Sequence, residues 1–337
     1  MRLNNIKIKN FRCFEKVSVD LDKHITLIVG KNGAGKTALL DAVAVSISSF
    51  LLGIVGAVSR SILKDDARYE FHDLNGTIDP QHQFPVSIES EGDCLGEQDK
   101  QWLRSLNSEN GKTTIKDASQ LTGIAKKAQN RIMKGDKSLI LPLISYYGTG
   151  RLYAQKREKR NIDSLTEFKR QVGYVDCMAA ESNEKLMLNW FQIQTMKSLQ
   201  QQQKTGVIER PLLLATVEKA ICKSYERISG SKNAGIFFDL DTHRLMLEFE
   251  TENGDAKKFA MDEMSDGYKN TLSMIGDIAY RMAVLNPILG DKVLSETPGI
   301  VLIDEIDLHL HPKWQQSILN DLNEIFPNIH FSCTGSH

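Results

Sequence analysis

Two short segments near opposite ends of the chain carry residue types that could act on a phosphoanhydride. Residues 28–44 read IVGKNGAGKTALLDAVA, in which Gly30, Gly35, Lys36 and Thr37 fit the spacing G-x-x-x-x-G-K-[ST] of a phosphate-binding loop. Glycines at 30, 33 and 35 let the backbone turn tightly and aim its N–H groups at phosphate oxygens, and a helix N-terminus adds partial positive charge. Lys36 would reach the β- and γ-phosphates, and the Thr37 hydroxyl would sit on Mg2+. The candidate nucleotide-binding set is therefore Gly30, Asn32, Gly33, Ala34, Gly35, Lys36, Thr37 and Ala38. The second segment is GIVLIDEIDLHLHP, 299–312. Asp304, at the tip of its apolar run, is placed to hold Mg2+ through water, and Glu305 beside it to activate the attacking water. Hydrolysis needs both charge compensation and a base near the γ-phosphate. Lys36 and Glu305 are the candidate catalytic residues, Thr37 and Asp304 the candidate metal ligands.

Positioning them requires strands. ITLIV before the loop is a short β-branched run that reads as a buried strand, TALLDAVAVSISSFLL after it keeps helical spacing, and IVLI before Asp304 belongs in a central parallel strand. NNIKIKNF and KVSVDLD alternate with the period of strands, so residues 1–30 form a β layer leading to the loop. SLILPLISYYGTGR (138–151) reads as another buried strand, and the segments from 234 form a β-hairpin set turned by ENGD. The expected fold is α/β, with a mixed, mainly parallel sheet, an N-terminal β layer and an inserted helical lobe. Residues 1–60 and 234–337, with the strand 138–151, make the core; 61–137 are an irregular insertion and 152–233 the helical lobe. Trp190 and Phe191 read as helix core, and no heptad pattern long enough for a coiled-coil arm occurs.

Bulk properties narrow the function classes. A 337-residue chain with 41% hydrophobic and 25% charged residues is ordinary for a globular protein, and a net charge of −1 demands neither nucleic acid nor an acidic membrane surface. Five scattered cysteines without a C-x-x-C pair point to a reducing compartment and away from structural zinc. The N-terminus is too polar and alternating for a signal peptide, and no run of about 18 apolar residues is evident. A cytoplasmic protein without membrane contact is expected.

A third element decides among machines that share such a loop. In MSDGYKNTLSMIGDIAYRM (264–282), Ser265 can cap a helix while Gly267 lets a phosphate approach the backbone. The segment resembles the signature motif of ABC-type ATPases, with S-D-G where the family has a second glycine. A Walker A loop, a signature-like S-D-G and a D-E Walker B in that order resemble the ABC-type ATPase heads of the RecF, SMC-like and OLD group. LPLISYYGTGR, LSMIGDIAYRM and VLIDEIDLHLHP are most similar to the AAA-family ATPases of bacterial anti-phage systems, such as Septu PtuA and retron-linked relatives.

The resemblance implies ATP and Mg2+ as cofactors and an ATP-dependent homodimer in which Ser265 and Gly267 of one head complete the partner's site. It implies that Arg12 lies near the nucleotide and that Asp307 crosses the dimer interface. His309 and His311 would serve in packing or at the interface. Tyr147 and Arg151 are stand-ins for the loop linking Mg2+ to the helical lobe. Relatives read T-T-H-S-P after the last strand; here SCTGSH puts His337 out of register for the sensor histidine. The implied function is an ATPase that gates an effector, a nuclease subunit, in anti-phage defence. Alternatives are a DNA-repair clamp, for which the basic clusters 126–137 and 155–160 could line a nucleic-acid path, and a nucleotide-sensing regulator with poor turnover.

Overall fold

The computed structural model describes residues 1–152, 169–179, 184–207, 210–251, 253–308 and 310–335. In chain order the strands and helices are β1 (Arg2–Phe11), β2 (Phe14–Asp20), β3 (Ile25–Val29), α1 (Lys36–Ile47), β4 (Tyr69–Leu74), β5 (Thr77–His82), β6 (Val86–Cys94), β7 (Glu97–Leu106), α2 (Ser119–Met133) and β8 (Leu143–Tyr147). There follow α3 (Glu184–Thr205), α4 (Leu212–Ser229), β9 (Lys232–Asp239), β10 (Arg244–Glu250), β11 (Ala256–Ala260), α5 (Asp266–Leu285), α6 (Val293–Glu296), β12 (Gly299–Ile303), α7 (Pro312–Ile325) and β13 (Ile329–Gly335).

Two sheets enclose one helix. The site-bearing sheet is wholly parallel, in the order β3-β13-β12-β8. Its inner strands are fully buried, as strands covered on both faces are: β12 is apolar throughout, while β13 also carries His330, Ser332 and Thr334. The second sheet is antiparallel, β2-β1-β6-β7. There β1 turns Leu3, Ile6 and Ile8 inward and Lys7 and Lys9 outward, the period-two pattern of a half-covered strand. Helix α1 packs on β13 of the first sheet and on β1, β6 and β7 of the second. It therefore needs apolar residues around its circumference, which is what ALLDAVAVSI supplies.

Three expectations are corrected here. Residues 61–137 are not irregular: β6 and β7 complete the antiparallel sheet beside β1, β4 and β5 pair into a ribbon, and α2 packs on β7. Polar residues on the open face of that sheet mask the alternation. The 138–151 strand is confined to Leu143–Tyr147, because Pro142 has no N–H and the Leu141 N–H is taken by Asn286 Oδ1 at 2.7 Å. The absence of a long apolar run also fails. Lys36–Gly53, α1 and the turn after it, is apolar enough to span a bilayer at a mean hydropathy of 1.4, yet 78% of it is buried between the sheets.

The helical lobe packs through α3 and α4 onto α5. Trp190 and Phe191 are buried, with Trp190 edge-on to Tyr280 at 5.7 Å, as core residues. Within α5, Asp277 and Arg281 form a buried ion pair at 2.7 Å. Arg281 also donates to the carbonyls of Gly173 and Val175, and the Tyr147 hydroxyl donates to Asp277 Oδ2 at 2.7 Å. The hairpin set, β9-β10-β11, is antiparallel.

Candidate nucleotide site

All four parallel strands point the same way, so the loops that leave their carboxyl ends emerge together. The loop after β3 turns through Gly33 at φ +82° and Gly35 at φ +90°. Gly35 is required twice over: its φ is left-handed, and a Cβ there would lie 2.5 Å from Cys13 Sγ and 2.9 Å from Phe14 Cζ. Helix α1 starts at Lys36 with no side-chain cap, which leaves its first N–H groups to face the loop. Lys36 Nζ donates to the Gly30 carbonyl at 2.6 Å, curling back over the turn.

The acidic half meets it directly. Asp304, 1% exposed, accepts from Thr37 Oγ1 at 3.1 Å to each carboxylate oxygen and from Thr334 Oγ1 at 2.6 Å. Its N–H donates to the Tyr147 carbonyl at 2.8 Å. Glu305 follows in the left-handed region at φ +47°, a conformation a non-glycine residue holds only when its surroundings impose it. Those surroundings are Thr334: its hydroxyl accepts the Glu305 N–H at 2.7 Å, and its carbonyl accepts the Ile306 N–H at 2.9 Å. Thr334 lies in β13, between β3 and β12, and so touches both halves. The sequence reading missed it, having looked for a histidine after this strand; the role of Thr334 comes from the strand order and has no local signal. His337 lies outside the described residues.

Arg12, at φ +49°, is tied by ion pairs to Asp41 of α1 at 2.6 Å and to Asp66 at 2.8 Å. Asp41 also pairs with Arg60 at 2.8 Å, and that guanidinium sits 4.5 Å over the Tyr146 ring. Burial, with Asp41 close by, raises the Tyr146 hydroxyl above its ordinary range and keeps it protonated. Arg12 is therefore braced one turn along α1 from Thr37. Asp307 is half-buried near Gly335, and its carbonyl accepts from Gln315 Nε2 at 3.1 Å. The His311 carbonyl receives the Trp314 N–H at 2.7 Å, while His309 lies outside the described residues.

Ser265 departs from its expected role. It stands before α5, where its carbonyl accepts the Lys269 N–H at 3.0 Å, but its hydroxyl makes no capping bond. The side chain is exposed and Gly267 is buried. Helix α5, which Ser265 and Gly267 open, packs on α3, α4, α6 and β8, whereas α1 packs on β13 and on the antiparallel sheet. Tyr147 does not face the metal position; its hydroxyl goes to Asp277 in the core. The side chain of Arg151 and residues 155–160 lie outside the described residues. In the other basic cluster Lys127 pairs with Glu97 and Arg131 with Asp136, which neutralises part of the proposed nucleic-acid path.

A parallel sheet with a G-x-x-x-x-G-K-T loop at one strand and an Asp–Glu pair two strands away is the core of a P-loop NTPase. Residues 5–229 match the AAA domain family, and the chain belongs to it. Among curated proteins it resembles the retron Vc95 probable ATPase of Vibrio cholerae serotype O1 biovar El Tor, at 23% identity over 98% of this chain and 69% of that one. It also resembles the retron Ec83 probable ATPase of Escherichia coli, at 26% identity over 99% and 68% of the two chains. Among solved structures, an SMC head bound to the C-winged helix domain of ScpA superposes with a TM-score of 0.50 and 16% identity, covering 100% of this chain and 90% of that one, a likeness of fold.

Proposed function

We propose that this chain is an ATP-hydrolysing head that dimerises when ATP and Mg2+ bind and thereby gates a separate effector, a nuclease subunit, in bacterial anti-phage defence. The observation that carries the reading is the meeting of Thr37 and Asp304 at 3.1 Å, which unites the phosphate half and the acidic half of a hydrolytic site. An all-oxygen pair of hydroxyl and carboxylate suits a hard cation, so Thr37 and Asp304 would hold Mg2+. Bound there, the ion would offset phosphate charge. Backbone N–H groups from Asn32 to Ala38 and the Lys36 ammonium bind the phosphates. Glu305 orients the attacking water and takes up its proton. Ser265 and Gly267 serve the γ-phosphate held by a second copy, with Asp307 at the interface. The likeness to two retron ATPases over nearly the whole chain supports the defence role.

Size exclusion with light scattering on the Glu305→Gln protein tests this. ATP with Mg2+ should convert it from monomer to a trapped dimer, and Lys36→Ala should abolish the shift. A mass that ignores ATP, or full turnover in Glu305→Gln, would remove the dimer switch or the assigned base.

A further inference from the structure

The parallel sheet has a second end. Where β3, β8, β12 and β13 begin, opposite the phosphate loop, a cavity of about 500 Å³ opens. That volume suits a ligand of mononucleotide size. Its polar wall is cationic: Arg2, Lys23 and Arg131 face one carboxylate, Asp93. Arg131 is engaged by Asp136 at 2.7 Å, and Asp93 accepts the Asp99 N–H at 3.0 Å. Lys23 is exposed, and among the described residues the Arg2 guanidinium has no hydrogen-bond or ion-pair partner, its Nε being buried.

His330 is the second, independent sign. It lines the cavity while 3% exposed, and its Nδ1 is buried without a partner, while Nε2 lies 3.4 Å from Thr26 Oγ1. Arg2 Nε and His330 Nδ1 are both buried without a partner on residues that line the cavity, and an unpaired buried polar atom is unfavourable, so hydrogen bonds remain to be gained on this wall. Apolar walls come from Leu95, Leu139, Ile140 and Pro298. We infer that this cavity is a second ligand site for a phosphate-bearing anion of mononucleotide size, with Arg2 and Lys23 on the phosphate, His330 Nδ1 supplying a hydrogen bond, and the apolar wall receiving the base. The site is separate from the phosphate loop and stands whether or not that loop hydrolyses ATP.

Titration calorimetry with AMP as the probe tests it, on protein carrying Lys36→Ala so that the phosphate loop does not contribute. One saturable site per chain is expected, weakened at least about tenfold by Arg2→Gln, which removes a charge-assisted hydrogen bond. Lys23→Glu lies at an exposed position and will not disturb folding; it should weaken AMP by a similar factor. Absence of saturable binding up to about 1 mM AMP, or binding indifferent to both substitutions, would overturn the assignment. Binding seen in the unsubstituted protein but lost with Lys36→Ala alone would overturn it too, by locating AMP in the phosphate loop.

Discussion

Thr334 grips Asp304 and Glu305 together: its hydroxyl donates to the Asp304 carboxylate at 2.6 Å and accepts the Glu305 N–H at 2.7 Å. A single oxygen thus fixes the orientation of the metal-side carboxylate and the backbone twist that aims its neighbour. Threonine suits the position because it is also β-branched and fits a buried parallel strand.

Thr334→Val keeps the shape and removes both bonds. ATP turnover should fall about 10- to 100-fold, the loss expected when two hydrogen bonds at a reacting centre go, while ATP affinity changes little. Thr334→Ser should restore most of the rate. Phosphate release measured at saturating ATP decides it; a drop of less than about twofold would deny Thr334 its positioning role.

Gly35→Ala should abolish nucleotide binding and destabilise the protein by about 1–3 kcal/mol, from the left-handed φ and the collision with Cys13. Adding Cys13→Ala should recover part of the stability and none of the binding, since it relieves the closer collision and leaves the Phe14 contact and the strained backbone. Fluorescent-nucleotide binding and urea denaturation separate the two effects.

Asp277 and Arg281 are buried together, so removing one partner strands a charge. Arg281→Met should cost about 3–5 kcal/mol in urea denaturation. Replacing both, Asp277→Leu with Arg281→Met, should cost less than Arg281→Met alone. A double variant weaker than the single would show that the bonds to Tyr147, Gly173 and Val175 matter more than the charge.

Glu218 of α4 is buried, and burial raises its carboxyl to about 7 despite the ion pair with Arg210 at 2.6 Å. The folded state then binds the proton more tightly than the unfolded chain. Its contribution is fully present below the unfolded value near 4.5 and is lost as pH rises through about 7. The difference in stability between Glu218→Gln and the parent should therefore favour the variant increasingly from pH 5 to 8, reaching about 2 kcal/mol. Paired denaturation curves across that range cancel the other titrating groups, and a difference independent of pH would contradict the assignment.

The chemistry-bearing loops were legible because their constraints are local. Gly33 and Gly35 are needed for two positive φ angles, and the apolar runs beside Lys36 and Asp304 can only be buried strands or helices. What escaped depended on distant pairing. Strands β6 and β7 carry Ser87, Glu89, Glu91 and Gln101, polar enough to read as loop, and declare themselves only by register, β6 with β1 and β7 with β6. Thr334 was invisible for the same reason: its role comes from the strand order β3-β13-β12, which no short stretch of sequence encodes. The hydroxyl of Ser265, assigned to a helix cap from its position alone, proved to have no such bond.

The order of the parallel sheet also bears on how such a chain can diversify. The ends of all four parallel strands meet at the reacting groups: β3 leads into the phosphate loop, β12 into Asp304, β13 supplies Thr334, and β8 ends in the Tyr147 carbonyl that accepts the Asp304 N–H. Between Thr37 and Asp304 along the chain are threaded, besides β8, the β4–β5 ribbon, α2 and the lobe of α3 and α4, which belong to other layers than the parallel sheet. Those excursions can lengthen, shrink or change their surface while the four strand ends keep their spacing. The nucleotide site and its peripheral segments are thus specified by different stretches of chain, and one can vary without the other.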